Sequence, residues 1–302
     1  MVAVTKRNQG HRYRERIDRR AAGRSVIDWL EAQYRHSSRE VWRDRIERGE
    51  VTLDERSALP DERLELGQEL VWSRPPWAEP AVPLDYLVLH EDPSLVAVSK
   101  PGGLPTMPAG GFLENTLWTL VHRRFADAAP VHRLGRGTSG LVLFARSDRA
   151  RVELSAAFRE RRVHKVYRAL ASGEPSWESL EVRVPIGEIE HSVLGSIHAA
   201  AADGKASLSR ARIVERRQGA SLLDVEIETG RPHQIRIHLA AVGHPLVGDP
   251  LYLEGGLPRA DALPGDLGYH LHAWRLAFTH PETGAAMELE APLPKILRSR
   301  GE

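Results

Sequence analysis

The segment with the most chemical content is a loop of glycines and cations at residues 132–140, which reads His-Arg-Leu-Gly-Arg-Gly-Thr-Ser-Gly. Gly135, Gly137 and Gly140 fit the spacing G-x-G-x-x-G, which in dinucleotide-binding proteins holds a pyrophosphate. That role needs a helix directly after the glycines, because the helix N-terminus receives the anion. The next residues, 141–144, are apolar and predict a strand instead. The sequence therefore argues against a nucleotide cofactor, and we expect no cofactor of any kind.

Three further blocks combine basic side chains with glycine, proline or tyrosine. Residues 100–105 read Lys-Pro-Gly-Gly-Leu-Pro and follow a predicted strand. Residues 165–170 read Lys-Val-Tyr-Arg-Ala-Leu. Residues 229–239 read Thr-Gly-Arg-Pro-His-Gln-Ile-Arg-Ile-His-Leu, and Gly-Asp-Pro-Leu-Tyr follows at 248–252. Each block alone is compatible with an ordinary structural role, so the order of the blocks carries the information.

Together with the loop at 132–140, these blocks resemble the ordered motifs of the RluA-type pseudouridine synthases, and the resemblance spans residues 86–294. It implies an enzyme that converts uridine to pseudouridine in structured RNA, either ribosomal or transfer RNA. The reaction breaks the C1′–N1 bond, turns the freed uracil and joins its C5 to C1′. Because a stacked base cannot turn, the nucleotide must first be flipped into a pocket.

The resemblance also implies roles for single residues. Arg133 would fill the space that the flipped base leaves, and Tyr167 would stack on the uracil and assist proton movement at C5. Arg231 would form an ion pair with the catalytic aspartate and orient it. Without the motif context, Arg133 could equally cap a turn and Tyr167 could be a residue at the core edge. Five further residues are expected to contact the RNA: His132, Arg136, Lys100, Arg236 and His238.

One position departs from the family pattern, since Gly135 stands where the family has its aspartate. That aspartate acts as a nucleophile at C1′ or as a base for a 2′ proton, and glycine has no side chain for either role. Three explanations stay open. Another acid reaches the site; the protein is a catalytically silent RNA-binding or ribosome-assembly factor; or the motif register differs. The acids nearest to the motifs are Asp249, Glu228 and Asp148.

Metal and thiol chemistry have weaker support. The chain has 14 histidines, and His270 and His272 alternate on a predicted strand, but no set of Asp, Glu and His completes a recognised ligand spacing. His238 and His244 follow a predicted helical segment and likewise lack further ligands at a recognised spacing. The chain contains no cysteine, which excludes disulfides and thiolate nucleophiles. We therefore expect no metal site.

The N-terminal region differs from the balanced remainder of the chain. The whole sequence carries 42 Lys and Arg against 41 Asp and Glu, whereas residues 1–50 carry 13 against 8. Two predicted helices and a strand at 51–53 give residues 15–73 a resemblance to the S-four-type RNA-binding module, although a generic helical cap fits the pattern equally. The basic residues that would contact RNA in such a module are Arg39, Arg43, Arg45, Lys6 and Arg7.

A cluster of prolines indicates where the N-terminal region ends and the second domain begins. Four prolines within residues 75–83 predict an extended linker at 74–84, because proline cannot continue a helix or a central strand. Beyond it, residues 85–297 alternate strand-like runs with helices at 115–125, 149–163 and 233–242, which predicts an α+β domain built on a mixed or antiparallel sheet. The sequence lacks an apolar run of about 20 residues, so we expect a cytoplasmic protein without a membrane span, with protein partners left open.

Overall fold

The computed structural model describes residues 7–34, 36–192 and 194–302. The chain divides into two compact units, Met1–Glu79 and Pro80–Glu302. The division falls inside the proline-rich segment 74–84. Within the described residues, no helix combines the length and the apolar character needed to cross a bilayer.

The first unit is a four-stranded antiparallel sheet with two helices. Each helix begins after a serine whose hydroxyl accepts a backbone N–H, Ser25 for the first helix and Ser38 for the second. Gly49 follows the second helix with a φ of 73°, a left-handed conformation that favours glycine. The strand order is β1-β4-β2-β3. The elements are β1 His11–Arg16, α1 Val26–Gln33, α2 Arg39–Glu47, β2 Val51–Leu53, β3 Arg56–Ser57 and β4 Glu69–Arg74.

The second unit is built on a ten-stranded mixed sheet, which confirms the predicted α+β class. Its elements are β5 Leu87–Glu91, β6 Leu95–Lys100, α3 Leu117–Arg124, β7 Ala129–Pro130, β8 Ser139–Ala145, α4 Asp148–Arg159, β9 His164–Ser172, β10 Ser179–Val182, β11 Ile186–His191, β12 Gly195–Ala200, β13 Ser209–Arg217, β14 Ala220–Ile227, α5 Gln234–Ala241, β15 Leu271–Thr279 and β16 Ala286–Glu290, followed by a 3₁₀ turn at Lys295–Leu297. The order is β10-β13-β14-β9-β15-β8-β6-β5, with β16 on β15 and β7 on β8. The β8–β15 pair is parallel and the other pairs are antiparallel. Strands β11 and β12 form a separate hairpin.

The strand predicted after the glycine loop is confirmed, because residues 141–144 lie in β8 and are buried. Helix boundaries needed correction. The helix predicted at 115–125 begins two residues later, at Leu117, because the Thr116 hydroxyl accepts the Thr119 N–H and caps it. Helix α4 ends at Arg159, before the predicted limit, where Arg161 turns left-handed at φ 61°.

The sheet order brings the sequence blocks together. Tyr167 on β9 pairs with Val225 of β14 on one side and with Ala273 of β15 on the other. Residues paired directly across antiparallel strands project to the same face of the sheet. The glycine loop leads into β8, which adjoins β15, and the block at 229–239 begins directly after β14. Three of the four blocks therefore meet near Tyr167.

Candidate active site

A cavity of about 560 Å³ lies where these blocks meet. Tyr167 lines it together with the residues before β8, the end of α4 and the turn after β14. The charge of the lining is strongly positive, with Glu228 as the acidic contributor among the lining residues. The basic lining residues are Arg133, Arg159, Arg161, Lys165 and Arg231. Such a lining suits an anionic ligand that also presents an aromatic ring.

Tyr167 supplies part of the aromatic surface of the cavity, together with Phe158 and His132. Burial raises the pKa of its phenol to about 12, so the hydroxyl stays protonated at neutral pH. Lys165, two residues earlier on β9, is buried, and burial together with the charge of Arg161 lowers its pKa. Arg133 is exposed on the loop before β8. The cavity thus combines a neutral phenol with an exposed guanidinium.

Arg231 has an unusual environment. Its Nε is buried, and among the described residues this atom has no hydrogen-bond partner. The turn that carries Arg231 is held by Gln234, whose Oε1 accepts the Arg231 backbone N–H at 3.1 Å and the Thr229 hydroxyl at 2.7 Å. A rigid turn therefore presents a guanidinium with an unused donor. This arrangement fits the expectation that the usual aspartate partner of Arg231 is missing at Gly135.

Gly135 itself is exposed and lies beside a tyrosine hydroxyl. A β-carbon at Gly135 would lie 3.4 Å from Tyr269 Oη and 3.7 Å from Thr138 Oγ1. These two hydroxyl oxygens are hydrogen bonded to each other at 3.2 Å. At Gly137 a β-carbon would lie 2.8 Å from two ring carbons of Tyr269, so the ring requires glycine there. Tyr269 lies outside all four blocks, and no sequence signal singled it out.

Three predicted RNA contacts need correction, because their side chains are buried and already engaged. Arg236 donates from Nε and Nη2 to the Asp249 carboxylate, at 2.7 Å each. His238 contacts Ser209 Oγ and the Val184 carbonyl, at 2.9 Å each. The Lys100 ammonium donates to the carbonyls of Pro101, Leu104 and Arg136. Each of these side chains fastens one segment of the fold to another.

The remaining two predicted contacts are partly engaged. His132 Nε2 accepts the Leu143 N–H at 3.0 Å, and its ring stacks on Phe158 at 4.5 Å between centroids. Burial, with a contribution from the charge of Lys165, lowers the pKa of His132 to about 3, so the ring is neutral. Arg136 donates from Nε to the Gly103 carbonyl and leaves the rest of its guanidinium over the Phe112 ring. Of these two residues, His132 lines the cavity.

None of the three acids suggested by the sequence takes the place of the missing aspartate. Asp249 is committed to Arg236 and to the backbone N–H groups of Leu251 and Tyr252. Asp148 is the exposed first residue of α4 and pairs with Arg151.

Glu228 lines the cavity, but its carboxylate is directed elsewhere. It forms an ion pair with Arg210 at 2.7 Å. Arg210 pairs with Glu226 across β13 and β14, whereas Tyr167 pairs with Val225, so the two pairs occupy opposite faces of the sheet. The carboxylate of Glu228 is therefore held on the face opposite to Tyr167.

The histidines do not assemble a metal site. In residues 7–34, 36–192 and 194–302, no group of three or more His, Asp or Glu side chains is arranged to hold a metal ion. His272 instead accepts or donates a hydrogen bond with Ser139 Oγ through Nδ1, at 2.8 Å. His244 contacts the Ser172 carbonyl at 3.0 Å.

In the first unit, the basic residues suggested by the sequence have different environments. Arg39 forms ion pairs with Asp28 and Glu31. The Arg45 guanidinium packs 4.5 Å and 4.6 Å from two tryptophan ring centroids. Arg43 and Arg7 are exposed, and Lys6 lies outside the described residues.

Comparisons with known proteins give a consistent result. The sequence family described as RNA pseudouridylate synthase matches residues 94–241. The chain is 44% identical over 276 residues to an RNA pseudouridine synthase of Synechocystis sp., covering 90% of this chain and 95% of that protein. It is 37% identical to RNA pseudouridine synthase 5 of Arabidopsis thaliana, covering 86% of each chain.

Further similarity extends to a ribosomal enzyme and to a solved structure. The chain is 33% identical to ribosomal large subunit pseudouridine synthase D of Neisseria meningitidis, covering 91% of this chain and 76% of that protein. The structure of human RNA pseudouridylate synthase domain containing 1 is similar with a TM-score of 0.55 and 26% identity, covering 72% of this chain and 86% of that one.

Proposed function

Because the chain belongs to the RNA pseudouridine synthase family and isomerises uridine in RNA, we propose that its cationic cavity receives the flipped uridine. The observation that carries this assignment is the meeting of Tyr167, Arg133 and Arg231 around one cavity of about 560 Å³. A flipped nucleotide combines a ring that stacks with a phosphate that needs cations, and the cavity offers both.

The roles of the three residues follow from their environments. Tyr167 stacks on the uracil, and its protonated hydroxyl assists proton movement at C5 because it remains neutral at physiological pH. Arg133 is exposed at the rim and takes the space in the RNA that the flipped base leaves. Arg231 offers its unused Nε donor to an oxygen of the bound nucleotide.

The RNA class is the finer part of the proposal. A relative named for the large ribosomal subunit matches most of this chain, which favours ribosomal RNA over transfer RNA as the first class to examine. The first unit would act as the S-four-type RNA-binding module, with exposed Arg43 and Arg7 as contacts. Replacing Arg43 by glutamate should weaken RNA binding and reduce its dependence on salt.

The experiment is pseudouridine mapping at single-nucleotide resolution on total RNA from a strain that lacks the protein. The strain carries wild type, Tyr167→Phe, Arg231→Ala or an empty vector. We expect one or more uridines to be modified with wild type and to remain unmodified with the other three. A map that is identical with wild type and with empty vector would contradict the proposal and favour a protein that binds RNA without modifying it.

A further inference from the structure

Among the described residues that line the cavity of Tyr167, Lys165 is the one lysine, and it is 6% exposed. Lys165 and Tyr167 alternate along β9, so their side chains project to the same face of the sheet about 7 Å apart. The flexible four-carbon stem of a lysine lets its ammonium move over a distance of that size. Lys165 therefore lies within reach of a uracil that stacks on Tyr167.

The ammonium of Lys165 is not fixed by a bond. In the described part of the chain, no hydrogen bond or ion pair engages it. Lys100 is a useful contrast, because it is also buried but its ammonium donates to three backbone carbonyls. Burial, together with the charge of Arg161, lowers the pKa of Lys165. Lys165 therefore becomes a neutral amine more readily than an exposed lysine does.

The groups that face Lys165 from other elements do not offset its charge. Its partner across β15 is the apolar Leu276. The Glu228 carboxylate is held on the opposite face of the sheet by its ion pair with Arg210. The other titratable or charged groups of the lining come from the loop before β8, the end of α4, β9 and the turn after β14, and they are His132, Arg133, Arg159, Arg161, Tyr167 and Arg231.

These other groups do not take up a proton near neutral pH. The arginines are already protonated. His132 Nε2 accepts the Leu143 N–H, so the second ring nitrogen carries the proton and has no free electron pair. Burial raises the pKa of Tyr167 to about 12, so its hydroxyl relays a proton only when another group accepts it. Within the described lining, Lys165 is the group that remains as the acceptor.

We propose that the neutral amine of Lys165 accepts the proton that leaves C5 of the uracil and returns it to N1. Lys165 acts after C5 has joined C1′, in the proton transfer that completes the isomerisation. The inference rests on the proposed placement of the flipped uridine in the cavity of Tyr167 and Arg231.

The step balances without a co-reactant. When C5 has joined C1′, C5 still carries its proton, and a double bond joins N1 to C6. The Lys165 amine takes the C5 proton, and the electron pair of that C–H bond forms the C5–C6 double bond. The electron pair of the N1–C6 double bond moves to N1, which takes a proton from the Lys165 ammonium. This transfer restores the amine and leaves pseudouridine.

The test separates a proton acceptor from a cation that contacts phosphate. Lys165→Arg keeps the positive charge but does not give up its proton near neutral pH, whereas Lys165→Met removes both the charge and the amine. Pseudouridine formation is measured under single-turnover conditions on a synthetic RNA that carries the mapped uridine, with RNA affinity and thermal unfolding measured beside it. We expect both variants to lower the rate by about 10²-fold or more, with RNA affinity retained in Lys165→Arg. Lys205→Arg, at an exposed lysine, is the matched control and should leave the rate unchanged.

Deuterium at C5 identifies the step that is slowed. In Lys165→Arg, RNA with deuterium at C5 of the target should react more slowly than unlabelled RNA, because loss of that atom limits the rate. Wild type should show a smaller isotope effect. Lys165→Ala provides a second readout if the arginine does not fit, since it leaves space for a small amine. We expect added ethylamine to restore part of its rate.

Three results would overturn the inference. They are a rate for Lys165→Arg within about tenfold of wild type, a slow Lys165→Arg without an isotope effect at C5, and a Lys165→Ala that ethylamine does not accelerate. In each case, activity that depends on Tyr167 leaves the proposed function intact. A wild type without turnover on any RNA overturns both.

Discussion

The ion pair between Arg236 and Asp249 should be a main determinant of stability rather than of RNA affinity. Its side chains are 2% and 1% exposed, and two hydrogen bonds of 2.7 Å join them. Asp249→Asn keeps the shape and an oxygen for the backbone N–H groups of Leu251 and Tyr252, but it removes the charge. Leaving a buried guanidinium without its counter-charge costs about 3–5 kcal/mol.

This cost should be visible in both thermal and chemical unfolding. For a unit of this size, each kcal/mol lowers Tm by about 2–4 °C, so we expect a decrease of roughly 6–20 °C. Urea unfolding followed by circular dichroism gives the free energy directly. Asp261→Asn is a matched control, because Asp261 pairs with Arg259 through a similar contact at the surface and should leave unfolding unchanged.

The result that would refute this reasoning is a loss below about 1 kcal/mol for Asp249→Asn, since a pair of that strength is typical of an exposed site. A second refuting result concerns binding. If Asp249→Asn left unfolding unchanged and weakened RNA binding, Arg236 would be a phosphate contact, as the sequence first suggested.

Three further predictions follow from the candidate site. Gly137→Ala should lower the free energy of unfolding by about 1–3 kcal/mol, because the added β-carbon would lie 2.8 Å from the Tyr269 ring. Gly135→Ala is the control and should change this free energy little. Urea unfolding of the two variants tests the difference. Arg133→Ala should weaken RNA binding and reduce the slope of log affinity against log salt by about 1, measured by titration at several salt concentrations. Tyr167 has a folded pKa of about 12, above the ordinary value of 10, so the folded state retains a proton that the unfolded state loses. The free energy of unfolding should therefore decrease as the pH rises from 10 to 12. In Tyr167→Phe this decrease should be smaller, as measured by urea unfolding at several pH values in that range.

The parts of the fold that the sequence predicts well are those set by local pattern. The apolar run at 141–144 lies in strand β8, the two helices predicted before residue 51 are α1 and α2, and Val51–Leu53 is a strand as expected. These outcomes depend on hydrophobic spacing and on hydrogen bonds within a few residues. Neither requires knowledge of what packs on the element from elsewhere in the chain.

The site is harder to predict because basic residues look alike in sequence. Arg133 and Arg236 both lie in blocks rich in cations, yet one is exposed and the other is buried against Asp249. What separates them is the loop that brings Asp249 back onto α5, thirteen residues after Arg236. No sequence pattern identified Tyr269, because it comes close to Gly135 only through the pairing of strands β8 and β15.

The space beside Gly135 is partly filled by the Tyr269 side chain. A site that had merely lost its carboxylate would leave a gap that water or a neighbouring apolar group could fill. Here a phenol oxygen lies 3.4 Å from the β-carbon position, and its ring fits against Gly137 with no space for any other residue. Arg231 keeps a buried donor without a partner among the described residues, which costs free energy unless a ligand accepts it. An unused guanidinium donor and a cationic cavity are features that a bound nucleotide would use. They therefore favour an altered active site over a decayed one.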